Sequence, residues 1–206
     1  MLNFDPVLCL VTDKTMRPEE EFLPTLEAAL KAGVTWVQFR EKSGLSDRAV
    51  WELGQRVREI TRRYGVPLIV DDRLDLAMAL DADGVHLGQT DLPLSAVKAL
   101  WPRKLWGISV QNVAQAEAAI RGGASYLGVG ALFPTASKAD AVATPNSSVT
   151  HMASLGIPLV GIGGITPERL PQVRRLGCAG VAVISAIWGS ADPAQAVRSF
   201  LQAWQA

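Results

Sequence analysis

Eight short apolar runs, each followed by a longer stretch, constrain the fold of this chain more than any other feature. The runs occupy residues 7–11, 35–39, 67–70, 84–87, 105–109, 126–130, 158–162 and 180–184. Most of them are continuously apolar, as expected for parallel strands that are buried on both faces. Eight such strands with helices between them predict an α/β fold, a single-domain (β/α)8 TIM barrel over residues 1–206. A doubly wound open sheet is the alternative.

The stretches between the runs carry helical patterns and end in helix-stop signals. The predicted helices cover residues 18–31, 46–64, 73–81, 93–100, 112–121, 147–155, 167–176 and 193–204. Ser46 has the character of an N-cap for the second helix. Glycines follow most helices at the point where a left-handed C-cap is needed, namely Gly33, Gly65, Gly122, Gly123, Gly156 and Gly177. The repeated order of helix, glycine and strand supports the barrel.

Composition limits the classes of partner. The 206 residues carry 20 basic and 20 acidic side chains, so the net charge gives no reason to expect a nucleic-acid or anionic-membrane partner. Cys9 and Cys178 lie in or beside apolar runs, which predicts two buried thiols in a reduced compartment. The start of the chain lacks a signal-like pattern and no run reaches the length of a membrane span. We therefore expect a cytoplasmic protein; a homo-oligomer is left open.

The second apolar run leads into charged residues. Strand alternation puts Gln38, Arg40 and Lys42 on one face, and Val37, Phe39 and Glu41 on the other. The apolar members of the second set suit the helix layer, so the two cations are expected at the mouth of the barrel. A bound diphosphate would satisfy them both through charge-assisted hydrogen bonds. Salt bridges to carboxylates of neighbouring strands are the alternative.

Carboxylates follow the third and fourth runs. Asp71 and Asp72 end the third strand, and Asp91 comes shortly after the fourth. Because these strands are neighbours in a barrel, Asp72 and Asp91 are expected to converge, and their hard oxygens suit Mg²⁺. Each aspartate taken alone is better explained as a helix N-cap.

Polar groups end the remaining runs as well. Ser109 at the end of the fifth run can donate to a phosphate oxygen, although helix capping explains it nearly as well. The sequence shows no base positioned to make it a nucleophile. The irregular stretch 131–146 begins with a loop in which Thr135, Ser137 and Lys138 suit an anion but equally suit a polar surface loop.

The last two runs carry the features of a second anion site. Gly163-Gly164 after the seventh run and Ser185 after the eighth match the common phosphate site of barrels, which uses backbone N–H groups. A tight strand-to-helix turn is the alternative explanation for the glycines. The sequence thus predicts one anion site with cations and a metal, and a second built from backbone.

Taken together, these segments resemble the thiamine phosphate synthase family. The segments are V-Q-F-R-E-K, D-D-R-L-D-L-A, D-G-V-H-L-G-Q-T-D-L-P, G-I-S-V, F-P-T-A-S-K, G-I-G-G-I-T and V-I-S-A-I, in the family's order and over nearly the whole chain. The family joins a hydroxymethylpyrimidine diphosphate to a thiazole phosphate and releases diphosphate.

The resemblance implies a role for each candidate residue. It implies that the pyrimidine diphosphate is held by Gln38, Arg40, Lys42, Asp71, Ser109 and Lys138 with the backbone of Phe39 and Glu41. It implies that the thiazole phosphate is held by Thr135, Ala136, Ser137, Gly164, Ile184 and Ser185. The implied Mg²⁺ ligands are Asp72 and Asp91, and the implied catalytic residues are Arg40, Lys42, Ser109 and Lys138. The implied chemistry is dissociative, so that catalysis is mainly electrostatic and positional.

Two positions depart from the family pattern. Asp71 stands where the family usually has Asn, and Gln111 where it often has His. In the related thiazole tautomerases, a histidine in the strand-five motif transfers a proton and the aspartate after strand four is typically absent. Gln111 and Asp91 therefore favour the synthase. A non-catalytic phosphate-binding barrel and another phosphosugar barrel remain as further alternatives.

Overall fold

The computed structural model describes residues 4–135 and 143–206, and its eight parallel strands close into a barrel. The strands are β1 Leu8–Val11, β2 Trp36–Phe39, β3 Leu68–Asp71, β4 Gly84–Leu87, β5 Leu105–Val110, β6 Tyr126–Val129, β7 Leu159–Ile162 and β8 Gly180–Val183. Each strand pairs in parallel with the next, and β8 pairs with β1. The barrel prediction is therefore confirmed, and the open sheet is wrong.

Nine α-helices lie in the described part of the chain. They are α1 Glu19–Ala32, α2 Asp47–Tyr64, α3 Leu74–Ala79, α4 Leu94–Leu100, α5 Val113–Gly122, α6 Asn146–Ala153, α7 Leu170–Arg175, α8 Ser185–Trp188 and α9 Pro193–Gln205. Eight were predicted; the short α8 was missed because its four residues continue the last apolar run. Its position after β8 brings a helix start to the carboxyl end of the barrel.

Helices α1 and α2 have the capping residues that the sequence predicts. The Ser46 hydroxyl accepts a hydrogen bond from the Ala49 N–H at 3.4 Å, as an N-cap does. Gly33 and Gly65 are left-handed C-caps whose N–H groups bond the last carbonyls of α1 and α2. These stops return the chain to the amino end of the next strand after each helix.

Two separate cores result from strand alternation. Val37 and Phe39 point outward and pack in the layer between barrel and helices, as predicted. Trp36 points inward and packs with Tyr126 and Phe4, with ring centroids 5.1–5.3 Å apart. Aromatic pairs of this geometry each contribute about 1 kcal/mol beyond their burial. This aromatic cluster fills the part of the interior near the strand starts, which leaves open space at the strand ends.

The two cysteines are buried, as expected. Cys9 and Cys178 are both buried and free of disulfides, and burial raises the pKa of the Cys178 thiol to about 12. None of the helices described has the length and apolarity that a membrane span requires.

Candidate active site

A cavity of about 930 Å³ opens at the carboxyl ends of the strands, where barrel enzymes carry their active sites. The predicted residues that line it are Gln38, Arg40, Lys42, Asp71, Asp72, Asp91, Ser109, Thr135, Gly164, Ile184 and Ser185. Of the other predicted site residues, Ala136, Ser137 and Lys138 lie outside the described residues.

The face of β2 that was predicted to enter the cavity does so. Gln38, Arg40 and Lys42 line it, whereas Phe39 is fully buried in the outer layer. Glu41 lines a smaller neighbouring cavity, and one of its carboxylate oxygens accepts from the Ser43 N–H at 2.5 Å. The side chains of Phe39 and Glu41 are therefore turned away from the main cavity, and only their backbone is available to a ligand there.

The cations of this face are held in place before any ligand binds. The Arg40 backbone N–H donates to the Thr12 hydroxyl, which in turn donates to the Arg40 carbonyl, each at 2.9 Å. The Arg40 guanidinium lies 3.8 Å from Asp71 and 4.0 Å from Asp13, and Lys42 Nζ lies 2.8 Å from Asp72 Oδ2. The salt bridges that the sequence left open are therefore present in the structure. They do not exclude anion binding, since the Lys42 side chain is half exposed.

Asp72 and Asp91 converge as predicted. The Asp91 carboxylate accepts from the Gly88 N–H at 2.6 Å. Burial, and the Asp72 carboxylate beside it, raise the pKa of Asp91. The helix-cap explanation is wrong for both, because Arg73 and Pro93 occupy the N-cap positions of α3 and α4.

Asp71 adds a third carboxylate to this side of the cavity. Burial and the neighbouring Asp72 raise the pKa of Asp71 to about 7, although Lys42 and Arg40 oppose the shift. Asp72 itself has a left-handed backbone with φ of 58°, held by a 2.8 Å hydrogen bond from its N–H to the His86 carbonyl. Few non-glycine residues adopt this conformation, and it turns the chain sharply at the end of β3.

The donor set fits a hard divalent cation that keeps part of its water. The neighbouring Asp72 carboxylate raises the pKa of Asp91, so a cation between the two side chains would relieve their repulsion. Within residues 4–135 and 143–206, there is no group of three or more His, Cys, Asp or Glu side chains suited to a metal. Mg²⁺ commonly accepts one or two carboxylates and completes its octahedron with water and substrate phosphate. Asp72 and Asp91 meet that requirement.

Ser109 takes part in a buried hydrogen-bonded chain that sequence reasoning missed. Ser109 Oγ lies 2.8 Å from His86 Nε2, and His86 Nδ1 lies 3.0 Å from the Tyr126 hydroxyl. Burial lowers the pKa of His86 to about 4. The capping explanation for Ser109 is wrong, because Asn112 caps α5. Strand alternation on β4, β5 and β6 was the signal available for finding this chain of hydrogen bonds.

The opposite side of the cavity is built mainly from backbone. Gly163 and Gly164 have φ values of 99° and 61°, and a Cβ at Gly164 would overlap the Pro134 carbonyl. The Leu132 and Phe133 N–H groups bond the carbonyls of Ile162 and Gly163 at 2.9 and 3.1 Å. The tight-turn explanation thus accounts for the glycines. Both glycines line the cavity together with Ile184 and Ser185.

Arg169 is a cavity residue that the sequence analysis did not select. Its guanidinium donates to the Gly164 carbonyl and lies 4.7 Å from the centroid of the Phe133 ring. It therefore ties the loop after β6 to the loop after β7. The available signal was a basic residue five positions after the glycine pair.

A closed (β/α)8 barrel with a polar cavity at the carboxyl ends of its strands defines the class of (β/α)8-barrel enzymes. The model of the family described as thiamine monophosphate synthase matches residues 8–187. The chain therefore belongs to the thiamine monophosphate synthase family, and it is a transferase of thiamine biosynthesis.

Individual relatives agree with the family match over their full lengths. A thiamine-phosphate synthase of Desulfitobacterium hafniense is 43% identical, with 98% of each chain covered. One of Lacticaseibacillus paracasei is 45% identical, covering 97% of this chain and 95% of the relative. Among solved structures, a thiamine phosphate pyrophosphorylase from Pyrococcus furiosus superposes with a TM-score of 0.90 at 35% identity, covering 100% and 98% of the two chains.

Proposed function

We propose that this enzyme condenses 4-amino-2-methyl-5-hydroxymethylpyrimidine diphosphate with 4-methyl-5-(2-phosphoethyl)thiazole, giving thiamine monophosphate and diphosphate. The observation that carries the proposal is the meeting of Arg40 and Lys42 with Asp72 and Asp91 on one side of the cavity. A diphosphate with its metal needs that combination of charges. On the other side, the glycine turn after β7 and the loop after β8 suit a single phosphate.

The charged side would receive the pyrimidine diphosphate. Arg40 and Lys42 donate to its phosphate oxygens, exchanging their carboxylate partners for the ligand. Lys138 and the Ser109 hydroxyl add two further donors, and Gln38 lines the same wall. Asp71 is adjacent to these cations and is the candidate contact for the pyrimidine ring.

Asp72 and Asp91 would hold Mg²⁺ on this side. When bound, Mg²⁺ neutralises negative charge on the diphosphate and so makes it a better leaving group. The Lys42–Asp72 contact of 2.8 Å keeps the lysine close to the metal ligands, so a diphosphate there meets the ammonium as well.

The side of the cavity around the glycine turn after β7 and the start of α8 would receive the thiazole phosphate. Gly164, Ile184 and Ser185 offer backbone N–H groups and one hydroxyl at the cavity wall. Thr135 lines the same side, and Ala136 and Ser137 follow it in the chain. The N–H groups at the start of a short helix after β8 commonly bind phosphate in barrels.

The chemistry would be dissociative. The bond between the exocyclic methylene carbon and the diphosphate oxygen breaks, and its electron pair leaves with diphosphate. The aminopyrimidine ring stabilises the resulting cation, and the thiazole nitrogen then donates its lone pair to form the new C–N bond. Because no strong base is needed, the residues act by charge and position: Arg40, Lys42 and Lys138 hold the leaving group while the glycine side orients the acceptor.

Two residues distinguish this function from that of a thiazole tautomerase. Asp91, a predicted metal ligand, lines the cavity, and Gln111 offers no group that transfers a proton at neutral pH. The Gln111 N–H is bonded to Gln115 at 2.8 Å, in the first turn of α5. We also infer that residues 1–206 form a single domain that works in the cytoplasm, on the basis of the balanced charge and buried thiols.

The direct test mixes the purified protein with both phosphorylated substrates, with Mg²⁺ or with EDTA, and measures thiamine monophosphate. Product that requires a divalent metal is expected. Absence of product with every divalent metal tried would refute the condensation, and equal rates in EDTA would refute the metal site.

A further inference from the structure

Three strands contribute one polar side chain each to a chain of hydrogen bonds inside the barrel. His86 of β4 lies between Ser109 of β5 and Tyr126 of β6, at 2.8 and 3.0 Å. Tyr126 is fully buried beside Trp36, whereas Ser109 reaches the cavity. This chain of hydrogen bonds therefore runs from the aromatic cluster of the barrel interior to the wall of the proposed diphosphate site.

Glycines on the adjacent strands make room for this arrangement. A Cβ at Gly107 would overlap the Tyr126 hydroxyl and His86 Nδ1, and one at Gly128 would come within 2.9 Å of the imidazole ring. Gly107 pairs with both His86 and Tyr126 in the strand register. Any residue with a Cβ at position 107 would occupy this space. The glycine therefore leaves room for the His86 imidazole beside the Tyr126 hydroxyl.

The direction of the hydrogen bonds follows from which groups can be satisfied. His86 Nδ1 is the one hydrogen-bond partner that residues 4–135 and 143–206 offer the Tyr126 hydroxyl. A buried O–H without an acceptor is costly, so Tyr126 donates to Nδ1. A neutral imidazole carries a single proton, which must then be on Nε2. Nε2–H therefore donates to Ser109 Oγ, and the Ser109 hydroxyl hydrogen is left to point elsewhere.

We propose that His86 and Tyr126 are positioning residues that set Ser109 as a hydrogen-bond donor toward the leaving diphosphate. Ser109 receives a hydrogen bond from Nε2–H, so its own O–H is directed to the cavity rather than to the ring. Donation into the serine oxygen also makes its O–H a better donor, because hydrogen bonds in a chain polarise one another. The effect on catalysis rests on the proposed function, whereas the position of the proton on His86 Nε2 is independent of that function.

A kinetic test uses the two tyrosines of the chain. Tyr126→Phe removes only the hydroxyl, and we expect kcat/KM for the pyrimidine diphosphate to fall about 10-fold, with KM for the thiazole phosphate unchanged. Tyr64→Phe is the matched control, since its hydroxyl bonds Glu27 at 3.1 Å at the end of α2; its rates should equal those of the wild type. Thermal unfolding of both variants shows whether any loss reflects the fold.

A double-mutant cycle separates positioning from simple support of the barrel. In a Ser109→Ala background, Tyr126→Phe should cost less than about twofold, because the group it positions is already gone. An undiminished 10-fold loss in that background would overturn the proposal. So would a wild-type rate for Tyr126→Phe.

The proton position is tested without any activity. The chain has two histidines, so ¹⁵N spectra of the wild type and of His151→Gln assign the His86 ring. We expect a neutral ring at pH 7 that is protonated on Nε2 and bare on Nδ1. A proton on Nδ1 would overturn the assignment even in an active enzyme, and the expected tautomer in a protein that makes no product would instead refute the proposed function.

Discussion

The two sides of the cavity offer different groups to an anion: charged side chains on one side and mainly backbone on the other. The β2–β4 side gathers Arg40, Lys42 and the three aspartates 71, 72 and 91, and every cation there already has a carboxylate partner. The β7–β8 side carries glycines, Ile184 and Ser185, and uses backbone shape. Charged groups in a partly buried place must be paired when no ligand is bound, whereas backbone N–H groups at a turn need no such partner.

The difference predicts how each side responds to change. On the charged side, one substitution alters several partners, because the groups are coupled through space. On the β7–β8 side, we expect the deletion of a side chain to have a small effect on binding. A change in backbone conformation should have a large effect.

Asp91→Asn should have the largest effect. The amide oxygen can still accept from the Gly88 N–H, so the loop after β4 is retained, but the charge that would hold Mg²⁺ is lost. We expect kcat/KM to fall about 1,000-fold at a fixed Mg²⁺ concentration, with partial recovery at higher Mg²⁺. Glu52→Gln, at an exposed carboxylate of α2, is the control; an equal loss there, or normal rates in Asp91→Asn, would contradict the assignment.

Lys42→Met should lower kcat/KM for the pyrimidine diphosphate about 100-fold, because it removes a charge from the leaving-group side and leaves Asp72 without its partner. KM for the thiazole phosphate should not change. Lys104→Met is the control, since Lys104 also pairs with an aspartate, at 3.2 Å, but stands before β5 at the opposite end of the barrel. Steady-state kinetics with each substrate varied in turn measures both constants. Equal losses in Lys42→Met and Lys104→Met would contradict the role of Lys42.

Gly164→Ala tests the backbone side. It is matched by Gly65→Ala, because the φ values are 61° and 65° but only Gly164 has neighbours that a Cβ would strike. Both should lose about 1–2 kcal/mol of unfolding free energy from the left-handed backbone. Gly164→Ala should lose about 1–3 kcal/mol more and raise KM for the thiazole phosphate about 10-fold or more. Equal stability and equal KM in the two variants would contradict the close packing of the Pro134 carbonyl and Phe133 against Gly164.

Ser185→Ala should have the smallest effect. A hydroxyl that donates to a charged phosphate contributes about 1.5 kcal/mol, so KM for the thiazole phosphate should rise about 10-fold with kcat unchanged. A loss as large as that of Lys42→Met would mean that the backbone does not carry this side of the site.

Much of this architecture was predictable because it follows from local rules. Continuous apolar runs and glycine stops specify eight parallel strands, and alternation along β2 correctly separates Arg40 and Lys42 from Phe39. The order of strands in a barrel then brings Asp72 to Asp91. These inferences need only neighbouring residues and the closure of the sheet.

What could not be predicted depends on distances across the barrel. Salt bridges between neighbouring strands were an open alternative, but the choice of Asp72 as the partner of Lys42 depends on side-chain reach. The His86 chain joins three strands through a gap left by Gly107. Arg169 reaches back to Gly164 from a turn whose shape is set by packing against Phe133. No local pattern encodes these contacts, because each requires positions that only the closed barrel supplies.

The central claim is that the charged side binds diphosphate together with Mg²⁺. Titration calorimetry with inorganic diphosphate, with and without Mg²⁺, tests it on the wild type, Lys42→Met and Ser185→Ala. We expect binding that requires Mg²⁺, is weakened at least 10-fold by Lys42→Met and is unchanged by Ser185→Ala. Binding that is independent of Mg²⁺, or equally weakened in both variants, would contradict it.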